Sequence, residues 1–177
     1  MDLSFRGMET SHVCVLFLAA AACWFDLRTR HIPNIVTFGG AALGVLYSVA
    51  THGWPGLLAS AGGWLTGVAV FLPFFLLGGM GAGDIKLVAA IGAWLGPLAA
   101  LWVALYAALA GGVLAVVVAL STGYFREAFR NIGRLLAHWR LADVRPLPEV
   151  TLEGTRGPRL PYALPIAVGA VLAIWFR

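Results

Sequence analysis

Only eight acidic residues occur among 177, and two of them, Asp26 and Asp84, stand at the ends of apolar runs. The other six, Asp2, Glu9, Glu127, Asp143, Glu149 and Glu153, fall in the N-terminal tail or in one long polar stretch. Asp26 and Asp84 are 58 positions apart, so nothing local pairs them. If they meet, their chemistry is specific. Two carboxylates held close together cannot easily both ionise, so one keeps a proton. A single pair then supplies a general base for water and a general acid for a leaving group. The run Gly81-Ala82-Gly83 ahead of Asp84 allows close backbone approach and dihedrals that other residues avoid. Each feature alone is weak. The alternative is that both acids are interfacial groups partnered by Arg28, Arg30 or Lys86.

The elements that must position these acids are legible in the composition. Apolar residues make up 60% of the chain and charged ones 11%, with a mean hydropathy of +0.87. A soluble domain carries about a quarter charged residues, and so little polar surface cannot cover a water-soluble globule. Most soluble enzymes, nucleic-acid binders and disordered proteins are thereby excluded. The length suits one domain over 1–177, and at roughly 20 residues per span six spans are the most it can hold. A formal charge of +4 in such a chain reports membrane orientation rather than a nucleic-acid partner. Cys14 and Cys23 form no CxxC pair, and no cluster suits a metal, so no cofactor is expected. Ala20-Ala21-Ala22-Cys23 only faintly matches a lipoprotein cleavage site, and that segment is read as a spanning helix.

Six apolar runs follow one another: about His12–Phe25, Ile35–Ala50, Leu57–Leu77, Leu87–Leu95, Leu98–Leu120 and Leu160–Phe176. Pro33 is suited to begin the second, Thr51–Gly56 makes a charge-free turn, and Gly96-Pro97 breaks the fourth from the fifth. Ten of the twelve basic residues lie in alternate loops: after run one, after run three and after run five. Six spans put those ten on one face. The positive-inside rule makes that face cytoplasmic and sets both termini outside. Asp26 and Asp84 then belong to the same leaflet. The 11 residues Ile85–Leu95 make about 16 Å of helix against a hydrocarbon core of about 30 Å. If Gly96-Pro97 reaches the outer interface, Asp84 lies well inside the membrane.

Two further patterns concern packing and lipid. Gly40-x-x-x-Gly44 and Gly63-x-x-x-Gly67 suit close helix contact, because lipid offers no hydrophobic drive between helices. Within the cytoplasmic loop at about 123–159, Phe125, Phe129, Ile132, Leu135, Leu136 and Trp139 form one helical stripe. Arg126, Arg130 and Arg134 form another. This predicts a basic amphipathic helix between spans five and six, resting on anionic headgroups. The fold expected is therefore all-α, polytopic, with six transmembrane helices.

Three segments together resemble the type IV prepilin peptidase family of GxGD membrane aspartic proteases. They are Asp26 with Thr29-Arg30-His31-Ile32-Pro33-Asn34, then Gly81-Ala82-Gly83-Asp84-Ile85-Lys86-Leu87, and finally Pro161-Tyr162-Ala163-Leu164-Pro165-Ile166-Ala167. The resemblance implies a multi-pass endopeptidase of the bacterial inner membrane that removes the basic leader of prepilins at the cytoplasmic face. Asp26 and Asp84 would be its catalytic pair, and Pro33, Asn34, Gly81, Gly83, Lys86 and Tyr162 its supporting residues. Bifunctional members also N-methylate the new terminus and carry an insert with two CxxC pairs. This chain has no such insert, so it resembles the short, peptidase-only form of tight-adherence (Flp) pilus systems. A small transporter or channel, or a scaffold for pilus assembly, is the competing reading. A transporter would place ionisable residues along a path across the bilayer, and the outer half of the spans contains none.

Overall fold

The computed structural model describes residues 9–77, 79–123, 125–127, 130–131, 133 and 161–176. These residues are all-helical, with no strand among them. Helix α1 covers Thr10–Thr29, α2 Asn34–Leu76, α3 Ala82–Leu95, α4 Pro97–Ser121 and α5 Ala163–Phe176. Helices α1, α2 and α4 are long and apolar enough to cross a membrane, and α5 is a shorter apolar helix of 14 residues.

The 43 residues of α2 are two helical arms. They meet at Gly53, whose φ of 60° and ψ of −137° lie outside any helix. An L side chain rarely adopts such a φ, so the corner depends on glycine. The arms run in opposite directions, as their contacts with α3 show. Gly40 and Gly44 of the first arm meet Trp94, whose Nε1 donates to the Gly40 carbonyl at 2.8 Å. Asn34, at the start of that arm, meets Lys86. The first arm is therefore parallel to α3. In the second arm Ser60 donates to the Ala93 carbonyl at 2.7 Å, Gly63 faces Gly92 and Gly67 faces Ala89, an antiparallel register. The predicted turn at 51–56 is thus a helical hairpin with one broken residue. Five helices supply the six apolar segments that the sequence predicts.

Other boundaries shift in ways that matter for the acids. Helix α1 continues past Phe25 and takes Asp26 into its last turn. Helix α3 begins at Ala82, so Asp84 stands in a first helical turn rather than in the loop before it. Pro33 caps α2 from outside, with extended backbone, and is not its first residue. Pro97 does open α4 directly after Gly96, whose φ is 82°. Beyond Gly44 the first arm of α2 continues for about 12 Å past the end of α3. The shortness of α3 therefore does not by itself put Asp84 deep in the membrane.

Helix α3 is the centre of the bundle and touches the other four. Its Leu87, Val88 and Ile91 are fully buried with Val15, Val103 and Ile166. Small residues set the spacing around it. A Cβ on Gly63 would strike the Gly92 carbonyl, one on Gly92 would strike the Gly63 carbonyl, and one on Gly67 would lie 2.7 Å from the Ala89 Cα. On the far side, Gly169 of α5 packs on α4 so tightly that a Cβ would lie 2.6 Å from the Val103 carbonyl oxygen. Both small-residue spacings noted in the sequence are helix contacts, with Gly40 against Leu18 of α1. Large apolar side chains such as Phe17, Ile35, Trp54, Leu58 and Leu109 point outward, as lipid-facing groups must. Most of the predicted amphipathic helix lies outside the described residues. Helical backbone at 125–127, 130–131 and 133 falls within it, and there Arg130 pairs with Glu127 at 3.3 Å.

Candidate active site

Three helix ends converge at one end of the bundle: the last turn of α1 and the first turns of α3 and α5. Helix α1 brings Asp26, which is 8% exposed. It is followed by a tight exit, in which Arg30 adopts a left-handed φ of 54° and donates its N–H to the Asp26 carbonyl at 2.9 Å. Thr29 Oγ1 lies 2.8 Å from the Phe25 carbonyl and 2.9 Å from that of His31, closing the same turn. The short connection to α2 then folds Ile32 inward, 4% exposed, against Gly83.

Helix α3 brings Asp84, which is 9% exposed. Its Oδ2 accepts the N–H of Gly81 at 3.2 Å, and its own N–H donates to the Gly81 carbonyl at 3.2 Å. An acid in this position satisfies one of the orphan donors at a helix start and lies at the favourable end of the helix dipole. The glycines before it serve closeness rather than unusual dihedrals. Gly81 has an ordinary φ of −78°, but a Cβ there would stand 3.1 Å from Asp84 Oδ2. A Cβ on Gly83 would press on Ile32 at 3.4 Å.

The two carboxylates lie within electrostatic range of each other. Asp26 Oδ2 accepts the backbone N–H of Ala163, the first residue of α5, at 3.2 Å. Each acid is thus held through one oxygen by a backbone N–H at the start of a helix. Among the described residues Arg28 and Lys86, two of the basic side chains near these helix ends, have other neighbours. Neither of these two neutralises the acids. Arg28 instead lies over the Trp24 ring, 4.1 Å from its centroid. Lys86 Nζ donates to Asn34 Oδ1 at 3.0 Å and lies 5.1 Å from the centre of the Phe38 ring.

Of the supporting residues, Gly81 and Gly83 border Asp84, and Lys86 and Asn34 tie the start of α3 to the start of α2. Pro33 caps that second start. Tyr162 is partly buried beside Gly111 of α4 and within electrostatic range of Asp84. Ala163 and Ile32 lie within the segments that carry the resemblance but are not among the supporting residues it implies. Ala163 contributes a peptide N–H and Ile32 an apolar wedge, and neither carries a chemical signature. Among the described residues no group of three or more His, Cys, Asp and Glu could hold a metal ion.

An apolar helical bundle with two buried carboxylates at one end fits a membrane-embedded class of protein. Comparison with known proteins gives the family. The model of the type IV leader peptidase family matches residues 13–116, and the chain belongs to that family. The matched region contains both acids and stops short of α5. A prepilin leader peptidase/N-methyltransferase from Dickeya chrysanthemi is 36% identical over 87 residues, covering 46% of this chain and 30% of that protein. The chain therefore matches less than a third of that relative's length. No solved structure matches.

Proposed function

We propose that the protein is a membrane-embedded aspartic endopeptidase that removes the leader peptide of type IV prepilins, those of Flp pili in particular. The observation that carries this reading is the meeting of Asp26 and Asp84, 58 positions apart, both buried at one end of the bundle. In the proposed reaction the ionised carboxylate takes a proton from water as the water oxygen attacks the scissile carbonyl carbon. The protonated partner then gives its proton to the departing amine nitrogen as the C–N bond breaks. One proton has entered the pair and one has left, so the roles are exchanged and the pair is ready again.

The charge pattern supports an inner-membrane orientation with the acid-bearing end toward the cytoplasm and both termini outside. A prepilin suits that placement, because a charged leader followed by an apolar helix presents its scissile bond at the interface. The bilayer is then the second partner. The relative from Dickeya chrysanthemi has N-methyltransferase in its name, but Cys14 and Cys23 provide no CxxC pair. The reading is therefore peptidase without methyl transfer.

The test is co-expression of the wild-type chain with Flp-type and longer type IV prepilins, with cleavage read by mass spectrometry of the pilin N-terminus. Cleavage of neither class would overturn the proposal. With purified protein in detergent, the pH–rate profile is expected to be bell-shaped, its two limbs belonging to the pair rather than to either acid. EDTA is expected to leave the rate unchanged. Lys86→Met removes the bridge to Asn34 and is expected to lower kcat/KM about fivefold, the effect of one net hydrogen bond. An unchanged kcat/KM would show that the bridge does not bear on the site.

A further inference from the structure

The first turn of a helix leaves N–H groups without helical partners, and in α5 each of these can be followed. Leu164 donates to the Pro161 carbonyl at 3.3 Å and Ile166 to the Tyr162 carbonyl at 3.2 Å. Pro165 has no N–H. Ala163 alone of these donates outside its own turn, to Asp26 Oδ2, 137 positions earlier, and the bond is buried. The register that brings Ala163 to Asp26 is set by close packing. Gly169 lies against the Val103 carbonyl and the Ala107 backbone, and Gly111 lies against the Tyr162 ring. Neither contact leaves room for α5 to slide along α4. The family match ends at residue 116, so this donor comes from a helix outside the matched region.

We propose that the backbone N–H of Ala163 is a positioning group for Asp26, and that α5 thereby completes a site which the matched region leaves unfinished. This rests on the reading of Asp26 as a catalytic carboxylate. A fixed donor on one carboxylate oxygen restricts rotation of the group and leaves the other oxygen to face water and substrate. A carboxylate free to turn would spend less time in the productive geometry, and that loss falls on kcat. The side chain at 163 is incidental, and the peptide hydrogen is the functional part.

An amide-to-ester exchange tests this directly. Lactic acid incorporated in place of Ala163 removes the N–H and keeps the shape. The same exchange at Leu164 removes a donor of the same turn that does not touch Asp26. The ester at 163 is expected to lower kcat about 10- to 100-fold, the range for a hydrogen bond to a charged group, with KM within about twofold. The ester at 164 is expected to keep the wild-type kcat. Ala163→Pro deletes the same N–H at a helix position where proline is well tolerated and should reproduce the loss, whereas Ala163→Gly, which keeps the N–H, should restore kcat. A wild-type kcat for the ester at 163, or an equal fall for both esters, overturns the proposal. Asp26→Asn is measured beside them. Residual cleavage there overturns the functional reading itself, whereas an inactive Asp26→Asn with an unimpaired ester at 163 overturns the positioning role alone.

Discussion

Asp26→Asn and Asp84→Asn are each expected to abolish prepilin cleavage, with rates down by at least about 10³-fold, while the bundle stays folded. General acid–base assistance contributes roughly 10²- to 10⁴-fold for each group, and the proposed cycle needs both groups in turn. The double variant should then be no worse than either single one, because a pair that acts as a unit is lost with its first member. Stability should not follow activity. The amide keeps an oxygen to accept the Ala163 or Gly81 N–H and removes the cost of burying a carboxylate. Both acids are at most 9% exposed, so the midpoint of thermal unfolding in detergent should hold or rise. Cleavage that persists in either single variant would defeat the assignment of the pair.

Gly63→Leu should have the largest effect on folding. The Gly63 and Gly92 backbones touch so closely that a Cβ on either would overlap the carbonyl of the other. Backbone cannot rotate out of the way as a side chain can, so the second arm of α2 must separate from α3. Overpacking against movable side chains costs about 1–3 kcal/mol. Here the expectation exceeds about 4 kcal/mol, in the range reserved for lost core contacts. The neighbouring residue provides the comparison. A Cβ on Gly62 would meet Pro97 Cγ at 3.7 Å, an ordinary contact, so Gly62→Ala should leave membrane accumulation and thermal midpoint near wild type. Even Gly63→Ala should lower both clearly. Equal behaviour of the two alanine variants would show that the α2/α3 contact can open at little cost.

Much of this arrangement was legible in the sequence because it depends on side-chain type. Runs of Leu, Val and Ala marked the six segments, and the two acids stood out because the spans contain so few charges. Gly40, Gly44, Gly63 and Gly67 announced close packing through their spacing. What escaped depends on backbone. The six-residue turn at 51–56 needed only Gly53, because helical hydrogen bonding tolerates Pro55 in a first turn. The start of α3 falls before Asp84 because the acid itself caps the helix, a local bond that hydrophobic periodicity does not register. The resemblance of the final segment rests on residues 161–167 and implies Tyr162 as its supporting residue, yet the atom that reaches Asp26 is the N–H of Ala163 and would be the same in almost any residue.

The break at Gly53 has a consequence for biogenesis. It divides the chain into a leading portion that holds Asp26 and a trailing portion that holds Asp84 and α5. Neither portion contains both Asp26 and Asp84, and the donor that holds Asp26 belongs to α5. On the reading proposed above, a chain that has inserted only its leading portion has no hydrolytic capacity. On the same reading the rate reaches its full value only when the last helix seats, which keeps a partly inserted peptidase slow toward its neighbours.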